Sequence, residues 1–221
     1  MAERLDIKAV IFDLDGLVLD TESSFFAAWR QAAKVLGFEL SESFCRSLSG
    51  LHYRAVERKL CDFYGAGFDP DEFGRISALC WRRHVQAQGI AVKPGFQDLL
   101  ELIVRRNLPY ALATNSNRAN ALECLDMAGL TDVFQVIVAR DEVAQGKPDP
   151  AVFWAVAKRL SVAITQCLVL EDSPVGIMAA KAAGAFALFV PSTQPADSDT
   201  LTQCDLNCHD LTEVAQWLGR I

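Results

Sequence analysis

The chain has 221 residues, of which 51% are hydrophobic and 22% charged, and its formal net charge is −7. This composition is typical of a globular protein with a sizeable core and excludes a long disordered tract. The acidic balance argues against a general nucleic-acid binder, which needs a basic surface, and the N-terminal residues fit neither a signal peptide nor a membrane span. We therefore expect a cytoplasmic protein without nucleic-acid or membrane partners.

The first predicted strand is the apolar run KAVIFD, residues 8–13. The stretch that follows it, of about seventy residues, contains no convincing strand and is too long for a plain crossover connection. It divides into helices, of which one ends before Gly37, one contains Val56, Leu60 and Phe63, and one starts at Asp69-Pro70. We predict a helical domain over 19–90, inserted into a core made of 1–18 and 91–221.

Four more apolar runs in the core are predicted strands, at 110–114, 134–139, 167–172 and 185–190. They lack polar alternation, which is typical of parallel strands covered by helices on both faces. Asp149-Pro150 begins one intervening helix, whereas Ser173-Pro174 begins another that Gly184 closes. The pattern predicts an α/β fold with a doubly wound parallel sheet of the Rossmann-like type.

Polar residues follow the carboxyl ends of these strands or lie nearby, where open α/β sheets bind ligands. They are Asp13, Asp15, Thr114, Asn115, Lys147, Glu171 and Asp172. Four grouped carboxylates repel one another unless a cation neutralises them, and a set of oxygen ligands without nearby His or Cys favours Mg²⁺. The ammonium group of Lys147, the hydroxyl of Thr114 and the free backbone N–H groups at the start of a helix suit a phosphoryl dianion.

These groups suggest a reaction at phosphorus. An aspartate beside the metal can attack phosphorus in line and form an aspartyl-phosphate. A second carboxylate two residues later can protonate the leaving oxygen and then activate water. Two neighbouring carboxylates would then have different tasks.

Four segments, DLDGLVLD, LATNSN, GKPDP and LVLEDSPVGIMAAKAAG, resemble in order the signature motifs of the haloacid dehalogenase-like (HAD) hydrolase superfamily. The inserted helices resemble the small cap of the subgroup that contains phosphoglycolate phosphatase, sugar-phosphate phosphatases and β-phosphoglucomutase. The resemblance implies that Asp13 is the nucleophile and a metal ligand, and that Asp15 is the general acid/base and a metal ligand through its carbonyl. It implies that Thr114 and Asn115 lie at the phosphate, and that Lys147 neutralises the nucleophile and the phosphate. Glu171 and Asp172 match the remaining metal ligands.

The expected substrate is a small phosphate ester, of the sugar or polyol class. The candidate specificity residues in the cap are Thr21, Glu22, His52 and Arg54. β-Phosphoglucomutases of this family carry a cap histidine where this chain has Phe25, so hydrolysis is favoured over mutase chemistry, which stays as the alternative. An alternative of another class is a catalytically idle domain that binds a phosphorylated ligand, and the expected assembly is a monomer or weak oligomer.

Overall fold

The computed structural model describes residues 6–48, 53–192 and 196–221. The chain forms two compact units, which divide between Leu19 and Asp20 and between Ile90 and Ala91. The first division lies one residue beyond the boundary predicted from the sequence, and the second coincides with it. Among the described residues, no helix is long and apolar enough to cross a membrane.

The larger unit contains a parallel sheet, with six strands in the described part of the chain. The strands are β1 Ala9–Phe12, β2 Tyr110–Ala113, β3 Ile137–Val138, β4 Cys167–Glu171, β5 Phe186–Phe189 and β6 Leu206–Asn207. Their order is β3-β2-β1-β4-β5-β6, and every neighbouring pair is parallel. This order confirms the predicted doubly wound sheet.

The α-helices of the described residues are α1 Thr21–Val35, α2 Glu42–Arg46, α3 Tyr53–Tyr64, α4 Pro70–Gln88, α5 Phe96–Arg105, α6 Arg118–Met127, α7 Ala151–Leu160, α8 Pro174–Ala183, α9 Ser198–Gln203 and α10 Leu211–Arg220. Short 3-10 helices span Gly65–Gly67, Arg140–Glu142 and Ile164–Gln166. The first four α-helices belong to the smaller unit, and the other six belong to the unit with the sheet.

The predicted ends of α8 are those observed. The Ser173 hydroxyl accepts a hydrogen bond from the Gly176 N–H at 3.2 Å, and Gly184 ends the helix with a φ of +87°. The start of α7 differs by one residue from the prediction. Pro150 is its N-cap, and the Asp149 carboxylate accepts from the Ala151 N–H at 2.9 Å.

Each unit has an apolar core of its own. In the larger unit, strands and helices bury a set that includes Ile11, Val138, Val152, Phe153, Val156, Val169, Ile177 and Phe189. The core of the smaller unit includes Ala32, Leu40, Cys45, Leu48, Val56, Leu60, Phe68 and Phe73. Phe63, which shares a helix with Val56 and Leu60, is 60% exposed and packs on the ring of Phe44 with centroids 4.3 Å apart.

Candidate active site

Three site residues lie at the carboxyl ends of neighbouring strands, where backbone hydrogen bonds hold them. The Asp13 N–H donates to Leu170 O at 3.0 Å, and the Thr114 N–H donates to Val138 O at 3.0 Å. Glu171 ends β4, and its carbonyl accepts from the Val190 N–H at 2.7 Å. The ends of β1, β2 and β4 therefore position these side chains with the rigidity of the sheet.

Lys147 places an ammonium group among these strand ends. Its side chain is 2% exposed, and its Nζ pairs with Asp13 Oδ1 and lies 2.5 Å from Glu171 Oε1. The same Nζ donates to the carbonyl of Ala113 at 2.9 Å. Burial alone would lower the pKa of Lys147, but the two carboxylates raise it above its ordinary value. The lysine is therefore charged at neutral pH.

Asp13 and Glu171 share the ammonium group of Lys147, and the carboxyl group of Asp172 lies beside them. Oxygen atoms of Asp13, Glu171 and Asp172 lie within 4.8 Å of one another, and Asp13 is 6% exposed. Burial raises the pKa of Asp13 to about 8, Lys147 opposes this change, and the charges of Glu171 and Asp15 add to it. A cation bound to these oxygens would favour the ionised carboxylate, which is the form that a nucleophile requires.

The donor set fits a hard divalent cation. It consists of carboxylate oxygens of Asp13, Glu171 and Asp172, which lie within 4.8 Å of one another. A Cβ at Gly16, where φ is +88°, would stand 2.1 Å from Asp172 Oδ2, so only glycine leaves room for this carboxylate. Carboxylate oxygens grouped in this way are the ligands that Mg²⁺ and Ca²⁺ take in proteins.

Asp15 lies beside the hydroxyls that follow β2. Its Oδ2 accepts from Ser116 Oγ at 2.7 Å and from Thr114 Oγ1 at 3.5 Å. The Ser116 N–H donates to Thr114 Oγ1 at 2.9 Å, and Thr114 is buried. The predicted acid/base and the predicted phosphate-binding hydroxyl are therefore neighbours, and Ser116, which the sequence analysis did not single out, holds the carboxylate.

Asn115 directs its side chain toward the backbone of Lys147. Asn115 Oδ1 accepts from the Lys147 N–H at 2.8 Å, and Asn115 Nδ2 donates to the Lys147 carbonyl at 3.1 Å. In this structure its amide oxygen and nitrogen both have partners on the lysine backbone. The role of Asn115 at the phosphate stays a prediction.

The candidate specificity residues belong to the smaller unit. Thr21 begins α1 and is buried, and Glu22, which follows it, is half-buried. Arg54 falls in α3, but its side chain lies outside the described part, and His52 lies outside the described residues altogether. Their role in specificity stays a prediction.

Phe25, which stands where the mutases carry histidine, packs in an aromatic stack of the smaller unit. Its ring lies 5.6 Å from that of Trp81 and 6.2 Å from that of Trp29, measured between centroids. The Trp81 indole N–H donates to Ser24 Oγ at 3.0 Å. This position therefore holds an apolar ring and provides no group that transfers protons.

Comparisons with known proteins agree with this geometry. Residues 10–190 match the family model described as haloacid dehalogenase-like hydrolase. A phosphorylated carbohydrates phosphatase of Thermotoga maritima is 34% identical over 80% of this chain and 82% of its own length. The β-phosphoglucomutase of Bacillus subtilis is 32% identical over 86% of this chain and 85% of its own. The crystal structure of a protein from T. maritima described as a putative β-phosphoglucomutase superposes with a TM-score of 0.84 at 29% identity, covering 97% of this chain and 100% of that one.

Proposed function

Because the chain belongs to the haloacid dehalogenase-like hydrolase family, we propose that it is a Mg²⁺-dependent phosphatase acting on a small sugar or polyol phosphate. The observation that carries the proposal is the buried cluster in which Lys147 pairs with Asp13 and Glu171, with Asp172 beside them. Burying ions costs free energy, and strand ends with a purely structural role do not require several buried charged groups. The same cluster serves an enzyme that attacks a dianionic ester.

In the proposed reaction, a carboxylate oxygen of Asp13 attacks phosphorus in line while the bond from phosphorus to the ester oxygen breaks. Asp15 gives its proton to the departing oxygen, which leaves as the alcohol. Asp15 then takes a proton from water, whose oxygen attacks the aspartyl-phosphate, and inorganic phosphate departs with Asp13 regenerated. Lys147 neutralises charge on Asp13 and on the phosphoryl oxygens throughout, and the Thr114 hydroxyl donates to one of them.

Asp13, Asp172, Glu171 and the backbone carbonyl of Asp15 would hold the Mg²⁺ ion. When bound, the ion supplies positive charge that orients the phosphoryl group and offsets the repulsion between Asp13 and the dianion. The chemistry of the donors supports this choice of metal, because they are oxygen atoms and the cluster contains neither histidine nor cysteine.

The proposed substrate class follows from the relatives and from the predicted role of the smaller unit. The relative from T. maritima is named for phosphorylated carbohydrates. Thr21, Glu22, His52 and Arg54 are the residues that we propose for reading the sugar or polyol part, and inserted units of this kind commonly exclude water and present specificity groups.

The test is phosphate release from a panel of sugar phosphates, polyol phosphates, phosphoglycolate and nucleotides. We expect release with Mg²⁺ and none with EDTA, and Asp13→Asn should lower kcat roughly 10⁴-fold or more because the nucleophile is lost. Asp98→Asn is the matched control, since Asp98 is exposed in the first turn of α5 and does not belong to the carboxylate cluster. Turnover that survives in Asp13→Asn or in EDTA would overturn the mechanism.

The second candidate function is that of a phosphomutase. The similarity to the B. subtilis β-phosphoglucomutase favours it, whereas the apolar ring of Phe25 in the stack with Trp81 argues against it. With β-glucose 1-phosphate, a phosphatase releases inorganic phosphate and accumulates glucose. Sustained accumulation of glucose 6-phosphate instead would favour the mutase.

A further inference from the structure

We propose that Asn115 is a positioning residue that fixes the backbone of Lys147 and thereby the place of its ammonium group among the carboxylates. The kinetic consequence of this inference rests on the proposed function. Its structural consequence, the protection of the Lys147 amine, does not.

The first observation is that both polar atoms of the Asn115 amide bind one residue. Asn115 Oδ1 accepts from the Lys147 N–H at 2.8 Å, and Asn115 Nδ2 donates to the Lys147 carbonyl at 3.1 Å. A side-chain amide is one of the few groups that can accept from one backbone group and donate to another. These two bonds hold a loop residue against the end of β2, although 32 positions separate them in sequence.

The second observation is the close approach that Gly146 permits. A Cβ at this position would stand 2.5 Å from Asn115 Oδ1 and 2.4 Å from Arg140 Cδ. Such distances are far inside van der Waals contact, so a methyl group at Gly146 clashes with the amide and with the arginine at once. A further backbone bond, from the Arg140 N–H to Ser116 O at 3.0 Å, joins the same two segments.

The ammonium group gains its three contacts only if the lysine backbone is correctly placed. Nζ meets Asp13, Glu171 and the Ala113 carbonyl on three sides, and the side chain is 2% exposed. The stem of a lysine is flexible, and a displacement of about 1 Å at a catalytic group can cost 10²-fold in rate. Asn115 therefore restricts the movement of the Lys147 backbone, and this keeps the ammonium group in place.

Two variants distinguish this role from a direct contact between Asn115 and the substrate. Asn115→Ala removes the amide. Gly146→Ala keeps the amide but inserts a methyl group at 2.5 Å from its oxygen. If Asn115 positions Lys147, both variants lower kcat, because loss of an interaction made in the transition state appears there. If Asn115 instead binds substrate, Asn115→Ala raises KM and leaves both kcat and the protection of the Lys147 amine as in wild type.

The experiment combines steady-state kinetics with a readout that does not need activity. Each purified variant is treated with an amine-reactive ester, and acylation of Lys147 is quantified by peptide mass spectrometry, with exposed Lys158 as the internal reference. Gly219→Ala is the matched control, since nothing lies within 4 Å of its added Cβ, and thermal melting checks that each variant folds.

We expect Asn115→Ala and Gly146→Ala each to lower kcat by about 10- to 100-fold and to raise Lys147 acylation several-fold relative to Lys158. Wild-type kcat and wild-type protection of Lys147 in Asn115→Ala would overturn the inference, whether or not KM rises in that variant. If wild-type protein hydrolyses no phosphate ester, the proposed function fails while the acylation result still decides the role of Asn115.

Discussion

Gly176 determines how closely the first turn of α8 approaches Glu171. A Cβ at Gly176 would stand 1.9 Å from the carboxyl carbon of Glu171, which is fully buried. Alanine normally stabilises a helix interior relative to glycine by about 0.5–1 kcal/mol. At this position the methyl group instead competes for the space that the carboxylate occupies, so helix propensity and packing predict opposite effects.

We predict that Gly176→Ala lowers both the free energy of unfolding and the phosphatase activity, the latter by at least about tenfold, because Glu171 must leave its place beside Lys147. Gly74→Ala is the control within α4, where an added Cβ meets nothing within 4 Å and should be neutral or stabilising. The measurements are urea denaturation and kcat. Equal behaviour of the two variants would contradict the prediction.

The sequence predicts the position of a residue well where it follows a strand and poorly where its contacts depend on a distant partner. Asp13, Thr114 and Glu171 lie at strand ends as predicted, because an apolar run precedes each. Ser116 could not, since its contact with Asp15 spans 101 positions. The motif around Asn115 was recognised, but its two bonds to the Lys147 backbone depend on how a loop folds back, which no local pattern encodes.

At the scale of elements, Glu142 ties the segment after β3 to two helices. Its Oε2 accepts from the Ala139 N–H at 2.9 Å and from Arg118 of α6 at 3.1 Å, and its Oε1 accepts from Arg159 of α7 at 3.0 Å. Both arginines also donate to the carbonyl of Ile137 in β3. This network anchors the chain a few residues before the loop that carries Lys147.

The ionisation of Glu142 makes this network dependent on pH. Partial burial alone would raise its pKa, but the bonds from Ala139, Arg159 and Arg118 lower the pKa below the ordinary 4.5. A carboxyl whose pKa is lower in the folded state stabilises the fold fully above its unfolded pKa. This contribution is lost as the pH falls through the folded value.

We therefore predict that Glu142→Gln lowers the free energy of unfolding by about 1–3 kcal/mol at neutral pH. The difference from wild type should shrink as the pH falls below 4.5. Urea denaturation at neutral and acidic pH measures this difference. Glu101→Gln is the control, because its pair with Arg105 is mostly exposed, at 69% and 64%, and should contribute little at either pH. A difference that persists unchanged into acid would contradict the assignment to ionisation.

Elements with a strong apolar signal were predicted within a few residues, and weak ones were missed. The runs at β1, β2, β4 and β5 are continuous and buried, so the sequence reveals them. Strand β6 has two residues, one half-buried and one exposed, and α2 has five residues, so neither has a pattern long enough to detect. At β3, only Ile137–Val138 of the predicted run at 134–139 pairs as a strand.

For the whole molecule, the balance of charge in the larger unit links folding to metal binding. The cluster gathers Asp13, Glu171 and Asp172 around a single Lys147, within a chain of net charge −7. Taking such charges out of water is costly, and two of the carboxylates, Asp13 and Glu171, share one ammonium group. The sheet and the apolar core of the larger unit must therefore offset this cost when no cation is bound.

If the cluster binds Mg²⁺ as proposed, we predict a melting temperature that depends on Mg²⁺. A ligand that binds only the folded state stabilises it by about 2.7 kcal/mol when present at 100 times its Kd. For a chain of this size, that corresponds to a rise of roughly 5–10 °C in Tm.

Asp172→Asn should reduce this rise to less than half, because one charged ligand is lost, whereas Asp132→Asn, at an exposed position, should leave it intact. Differential scanning calorimetry with millimolar Mg²⁺ and with EDTA measures both effects. Equal Mg²⁺-dependent shifts in wild type and Asp172→Asn would place the ion elsewhere, and the absence of a shift in wild type would remove the proposed link between the cluster and the metal.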